Sequence, residues 1–481
     1  MRSRPTVRAA VAMAMVALSG CTLFTTDVTD CETTEQCRDQ FGVGFVCNAD
    51  GLCEGGTPIP RCTTTYPEDL LTNPQNGGRI VIGDLMDRSI ATQHARELSA
   101  RLALSQANAQ GGLEGQNFGL VMCTIEENPD YDDLTRSQAA VTAARYLIDH
   151  IGVSAIIGPA SSGDTQATFL EIQNDDVLLI SPSATSPTLT QLDPATVSDE
   201  APGLLWRTAP PDSLQGAAIA ADMRGPGAGR AAPVGQVAAI YAGGAYGGGL
   251  YTEFAGRFTA AGGAVTPLPF ADAAQRDTAI AMAATANVDE VLFISSQPAD
   301  IIAFLDTAAT LSGYDQKTLF LTDAAANADV LTGANSARFS QVRGSRPAPL
   351  DESRDLVYAG FIAAYTAEYG ADVRPFSFTA NAYDAAWLVA YGAAWAIYQD
   401  GEVRGQTIAQ GLRKVSGGTE VDIVPTSWNL VKQSFQSGQA VDVEGASGQL
   451  DYDPATEETS APIEIWEIQG GAVVGVDTFD P

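Results

Sequence analysis

The chain has 481 residues, 45% apolar and 17% charged, a folded protein's composition at a length that one core rarely supports, so at least two domains are expected. Its 58 Asp and Glu against 26 Lys and Arg leave a net charge of −32. Such a surface repels nucleic-acid phosphates and anionic headgroups, and the absence of any basic stripe sets DNA and RNA binding aside.

The N-terminus reads MRSRPTVRAAVAMAMVALSGCTLF. Arg2, Arg4 and Arg8 precede an apolar run, Ala9 to Leu18, that is too short for a stable transmembrane helix. Leu18-Ser19-Gly20-Cys21 follows and resembles the lipobox of bacterial lipoprotein precursors; a plain secretory signal with a chance cysteine is the alternative. The resemblance implies cleavage before Cys21, acylation of its sulfur, and, from Thr22 rather than Asp at the next position, outer-membrane sorting. Six cysteines remain, Cys31, Cys37, Cys47, Cys53, Cys62 and Cys123, an even count that suits an oxidising compartment. The first four are spaced C-x5-C-x9-C-x5-C in a short polar segment that needs covalent staples. Zinc would favour closer C-x2-C pairs and histidine, so disulfides are expected and no metal site. Cys62 and Cys123 then pair with each other, while the connectivity of the four stays open.

A spacer rich in Pro, Thr and Gly leads to RIVIGDL, the first strand-like run. The segment ATQHARELSARLALSQANAQ has helical spacing and Gly111-Gly112 closes it. FGLVMCTIE predicts a strand, TRSQAAVTAARYLIDH a helix, VSAIIGPA a strand, DTQATFLEIQND a helix and VLLISPSATS a strand. Continuously apolar strands alternating with helices predict a parallel sheet covered on both faces. A second series of the same grammar starts after LWRTAPPD with QVAAIYAGG, GLYTEFAGRFTAA, VDEVLFISSQ, ADIIAFLDTAATL and KTLFLTDAA. FTANAYDAAWLVAYGAAWAIYQ then predicts a long helix, and the tail after Gly445 reads as hairpin-like strands.

Enzymatic chemistry finds little support. GPASSGD lacks the lysine of a phosphate loop, no G-x-S-x-G elbow occurs, and GGAYGGGL lacks dinucleotide spacing. The two histidines, His94 and His150, sit on amphipathic helices and read as surface residues rather than general bases. No cofactor is expected.

What the sequence does offer is a set of small, hydroxyl-rich loops after strands: GPASSGD, SPSATSP, AGGAYGG, SSQPAD and TDAAAN. In an open parallel sheet, ligands bind past the carboxyl ends of the strands. Ser161, Ser162, Ser183 and Thr185 read as helix-preceding hydroxyls that either cap their own helices or hold a carboxylate. Five such loops in two series favour a small-molecule pocket.

IIGPASSGDTQATFLEIQNDDVLLISPSATSPTLT resembles the signature of type I periplasmic binding proteins of the leucine/isoleucine/valine-binding kind. LWRTAPPDSLQGAAIA, VAAIYAGGAYGGGLYTEFAGRFTAAGGAV, NAYDAAWLVAYGAAW and GASGQLDYDP follow in the family's order, so the resemblance covers about residues 78 to 475. It implies an α/β fold of two doubly wound parallel-sheet lobes joined by a three-strand hinge, beside a small disulfide-rich N-terminal module. The implied division is signal peptide 1–20, Cys-rich module 21–56, linker 57–78, lobe one 79–207 with 347–445, and lobe two 208–346 with 446–481. By position, the Ser161/Ser162 and Ser183/Thr185 loops would hold a ligand's carboxylate and amino group, Tyr246 and Ser296 would face them from lobe two, and Asp323 would pair with an ammonium. Ser295-Ser296 stands where relatives often place an aromatic, and the loop GDLMDRSIATQ lacks the usual Ser-Gly pair. Both weaken the implication of a branched-chain amino acid. The function expected is a lipid-anchored extracytoplasmic solute-binding protein for an amino-acid-like ligand, partnered by an ABC permease, with no enzymatic activity. The alternatives are a ligand-sensing module, or a structural or interaction lipoprotein on the same fold.

Overall fold

A computed structural model describes residues 30–480 except 57, 194–196, 226–229 and 231. The signal-like segment and Cys21 lie outside the described residues.

The N-terminal module holds one helix, α1 (Thr34–Phe41), and a hairpin, β1 (Phe45–Cys47) with β2 (Cys53–Gly55). Thr33 and Gln36 form a capping box that starts the helix by satisfying donors it would otherwise leave open. Disulfides join Cys31 to Cys47 and Cys37 to Cys53, which fixes the pairing that the spacing left open. The sulfurs of Cys31, Cys37 and Cys47 lie close together, but as disulfide sulfurs they are not the thiolates a metal requires. Val43 of this module enters the same apolar cluster as Leu70 and Leu147 of the main body. The third disulfide, Cys62–Cys123, ties the spacer to the main sheet, as expected.

The first sheet is built from β3 (Thr64–Tyr66), β4 (Ile80–Met86), β5 (Phe118–Thr124), β6 (Ala155–Ile157), β7 (Leu178–Ser181) and β8 (Leu205–Arg207). The helices α2 (Ala91–Ala109), α3 (Arg136–Tyr146) and α4 (Ser162–Ile172) alternate with them. The chain then builds a second sheet with the same alternation. It runs α5 (Asp212–Arg224), β9 (Gln236–Ala242), α6 (Ala245–Ala260), β10 (Ala264–Phe270), α7 (Ala273–Thr285), β11 (Glu290–Ile294), α8 (Pro298–Thr310), β12 (Thr318–Leu321), α9 (Ala328–Gly333) and β13 (Val342–Pro347). It returns to the first lobe as α10 (Leu356–Tyr369), α11 (Thr379–Gln399), α12 (Gly405–Leu412), β14 (Thr419–Asp422), α13 (Trp428–Gln436), β15 (Val441–Gly445) and β16 (Gly448–Gln449). It ends in the hairpin β17 (Ile463–Gln469) and β18 (Ala472–Phe479), which joins the second sheet.

The strand orders are β3-β5-β4-β6-β7-β8 and β10-β9-β11-β12-β13-β17-β18. Setting the antiparallel strands β3, β17 and β18 aside, both lobes share one doubly wound parallel order in which the second strand flanks the first and the third lies on its other side. The continuous apolar runs explain this. Because side chains alternate across a strand, Ile80, Ile82 and Met86 face one core while Leu85 faces the other. In the second sheet Ala238 and Ile240 face one core, and Val237 and Ala239 the other. Helix α11 is buried along nearly its whole length, because its alanines and Gly392 let α12 come close. A Cβ at Gly411 would sit 2.7 Å from the Gly392 Cα.

Three segments cross between the lobes, after β8, after β13 and between β16 and β17. They are tied to one another. The Tyr452 hydroxyl donates to the Arg207 carbonyl at 3.0 Å, the Ala348 N–H donates to the Pro462 carbonyl at 2.8 Å, and Arg207 forms an ion pair with Glu458.

Candidate functional site

The carboxyl ends of both parallel sheets face each other across a cleft, the position at which doubly wound sheets take ligands. In the first lobe, Gly158 closes β6 at φ +93°, and a Cβ there would meet the Leu85 carbonyl oxygen at 2.5 Å, so only glycine lets the chain turn so sharply at the cleft wall. Ser161 then caps α4, its Oγ accepting from the Asp164 N–H at 3.2 Å. The helix thus begins at this wall, where its first N–H groups and its dipole favour an anion.

The loop after β7 differs from expectation. No α-helix follows Ser183 and Thr185; the chain stays irregular until a short 3-10 turn at Leu189–Gln191, consistent with the prolines at 182 and 187. The loop is instead built on side-chain bonds. The Ser183 hydroxyl donates to the Ala160 carbonyl at 2.8 Å, and the Ser186 N–H donates to the Ser162 Oγ at 3.1 Å.

In the second lobe Tyr246, in the first turn of α6, donates its hydroxyl proton to the Asp323 carboxylate at 2.5 Å, and Gln215 Nε2 donates to the same oxygen at 3.1 Å. Both Tyr246 and Asp323 are buried. Burial pushes the Asp323 carboxyl above its usual range, with the hydrogen bonds from Tyr246 and Gln215 opposing it. Behind it Asp212, at the start of α5, is pushed well up by burial and by the charge of Asp323.

These elements enclose one cavity. Ser161, Ser162, Ser183, Tyr246, Ser296 and Asp323 all line it, so six of the seven residues singled out from the sequence meet in one place. Thr185 is not in its wall; it is buried, and its backbone carbonyl accepts from the Asp212 N–H at 2.7 Å. The space open to the centre of a water-sized sphere is about 50 Å³. A small solute fits such a space. A second cavity, walled by all three crossing segments, shares Asp323 and Phe378 with the first.

Sequence reasoning missed Arg96 and Phe378. Arg96 lies on α2, a turn beyond Thr92 and Gln93, and all three line the cavity. Its Nε donates to the Ser377 carbonyl at 2.9 Å and its Nη1 donates to the Ser183 Oγ at 2.9 Å. Its guanidinium carbon stands 5.2 Å from the centre of the Phe378 ring. Phe378 is held at φ +60°, unusual for a bulky residue and found where surrounding structure imposes it. An arginine on an otherwise ordinary amphipathic helix, with Arg101 further along it, gives no sequence signal of its own.

The lobes touch across the cleft. The Thr92 N–H donates to Asp329 at 3.0 Å, the Ser186 hydroxyl to the Ala245 carbonyl at 2.6 Å, and the Ala328 N–H to the Pro375 carbonyl at 3.0 Å. The histidines stand apart: His94 is 48% exposed beside Glu97, and the His150 ring stacks on Tyr146.

A family model described as periplasmic binding protein matches residues 91–433. A relative from Halobacterium salinarum, named as a chemotactic signal transduction system substrate-binding protein, is 25% identical over 84% of this chain and 89% of its own length. A leucine-specific-binding protein of Salmonella typhimurium is 34% identical over 19% of this chain and 22% of its own. Among solved structures, the branched-chain amino acid binding protein LivJ of Streptococcus pneumoniae, in complex with isoleucine, superposes with a TM-score of 0.64 at 21% identity, over 84% of this chain and all of that one. A solute-binding protein from R. palustris in complex with benzoate gives 0.63 at 17% identity, over 84% of this chain and 97% of its own. The chain belongs to the periplasmic binding proteins, a family of non-enzymatic solute-binding proteins, in its type I, leucine/isoleucine/valine-like form.

Proposed function

We propose that the protein is an extracytoplasmic, lipid-anchored solute receptor that closes its two lobes on a small amino-acid-like molecule and delivers it to an ABC-type importer. The observation that carries this reading is the cavity walled from both sides, by Ser161, Ser162 and Ser183 on one lobe and by Tyr246, Ser296 and Asp323 on the other. A carboxylate rests at the start of α4 and its serines. An ammonium rests on Asp323. A ligand that touches both lobes stabilises the closed arrangement by its differential affinity for it. Thr185 supports the loop from beneath. The anchor is the acylated Cys21, and Thr22 directs it to the outer membrane.

A second reading, sensing rather than import, draws support from the chemotactic relative, which matches most of the chain. In both readings the pocket works alike, and only the partner differs.

The test is a thermal-shift screen of the purified chain against the common amino acids and small carboxylates. A ligand at 100 times its Kd stabilises the fold by about 2.7 kcal/mol. At least one compound is expected to raise the melting temperature saturably. A cooperative melt unmoved by the whole library contradicts the reading.

A further inference from the structure

Among the described residues Arg96 is the one cation that lines the cavity, and it is 8% exposed. Its hydrogen bonds go to neutral groups only, the Ser183 and Ser377 hydroxyls and the Ser377 carbonyl. Among the described residues no ion pair includes it; Asp323 and Asp329 act on it through space, and burial draws its pKa down to about 10. A buried guanidinium without a contacting carboxylate is costly, and the cost falls when an anion arrives. Three of its five donors are committed, and those bonds, with the Phe378 ring, fix the plane of the fork. The cavity therefore has two places for an anion, Arg96 and the start of α4, and one for a cation, Asp323.

From this arrangement, and resting on the solute-binding reading above, we infer that Arg96 receives an acidic group of the ligand, and that the solute is a small amino acid carrying a second carboxylate. The α-carboxylate lies at Ser161 and Ser162, the ammonium at Asp323, and the side-chain carboxylate takes the remaining donors of Arg96, one on Nη1 and one on Nη2, end-on, as a planar fork allows. A branched-chain side chain in the same place leaves the guanidinium buried and unpaired.

Titration calorimetry on the full chain in detergent, with L-aspartate, L-glutamate and L-leucine, tests this. The wild type is expected to bind one acidic amino acid about 100-fold more tightly than leucine. Arg96→Gln should abolish that preference, bringing the ratio of the two affinities to near one, and Arg96→Lys, which keeps the charge and loses the fork, should fall between. A melting curve for each variant separates misfolding from lost recognition, and the ratio of the two affinities is unmoved by a purely structural role. Tight leucine binding with no acidic preference overturns the assignment of Arg96 and leaves the solute-binding reading standing. A cooperatively folded wild type that binds none of the three overturns this inference, and the broader screen then decides the fate of the parent reading.

Discussion

Tyr246 and Asp323 meet in the wall of the second lobe, and their hydrogen bond keeps a carboxylate aimed at the cavity although burial disfavours its charge. A ligand ammonium opposes that effect. Because the carboxyl is raised, its charged fraction grows as pH rises, so ligand affinity should strengthen with pH through that titration. Asp323→Asn should weaken binding by about 100-fold and remove this pH dependence in calorimetry, since a hydrogen-bonded charge pair loses its partner. An unchanged affinity would remove Asp323 from the site. At this scale the sequence was informative where chemistry sits on loops. Ser161, Ser162 and Ser183 were visible because hydroxyls cluster after strands, and Asp323 through the family resemblance, which implies an acidic residue at that position. Arg96 was not, because on a helix an arginine reads as a solvated charge, and only the fold turns that face of α2 into the cleft. Thr185 reads as a helix start in the sequence, whereas the chain there stays irregular.

At the scale of elements, the alternation of apolar strands and helices was legible because the inner strands are buried on both faces and so are mostly apolar, Asp84 within β4 being an exception. Crossings between lobes were harder to read, since their stability comes from contacts distant in sequence. Arg207 of β8 is 2% exposed and pairs with Glu458 of the third crossing, while Thr190 also donates to that carboxylate at 2.7 Å. Breaking a buried pair leaves one charge without compensation. Glu458→Gln should therefore lower stability by about 3 kcal/mol in urea unfolding, a typical cost for such a loss. A loss near zero would mean that the crossing does not depend on this pair. The N-terminal module was legible in its chemistry, four cysteines in a short polar segment. Its connectivity was not, because spacing alone allows several pairings and the choice made here depends on the hairpin β1–β2 beside α1.

For the molecule as a whole, the net charge of −32 and several buried carboxyls act in the same direction. Burial raises Asp384 to about 7, although Ser447 and Ala446 donate to it, and raises Asp193 to about 6. A carboxyl whose folded pKa lies above its unfolded value binds more protons in the folded state between the two, so stability is lost as pH rises across that interval. The melting temperature of the ligand-free chain should accordingly be higher at pH 5.5 than at pH 7.5, a window set by the values of these two groups. Asp384→Asn should flatten that slope in scanning calorimetry. The carboxylates held low by hydrogen bonds, such as Asp132 beside Arg61, oppose this trend only at more acidic pH. The two-lobed form was itself readable from the repeated grammar of the two series, but the closeness of the lobes was not. It rests on pairs such as Thr92 with Asp329 and Ser186 with Ala245, which no local pattern announces.

In the function proposed above, the lobes close on a small ligand. Small-angle X-ray scattering of the purified chain, with and without the amino acid that gives the largest thermal shift, measures this directly. The ligand should reduce the radius of gyration saturably, with the same midpoint as its binding isotherm. An unchanged scattering profile at ligand saturation would contradict closure as the mechanism.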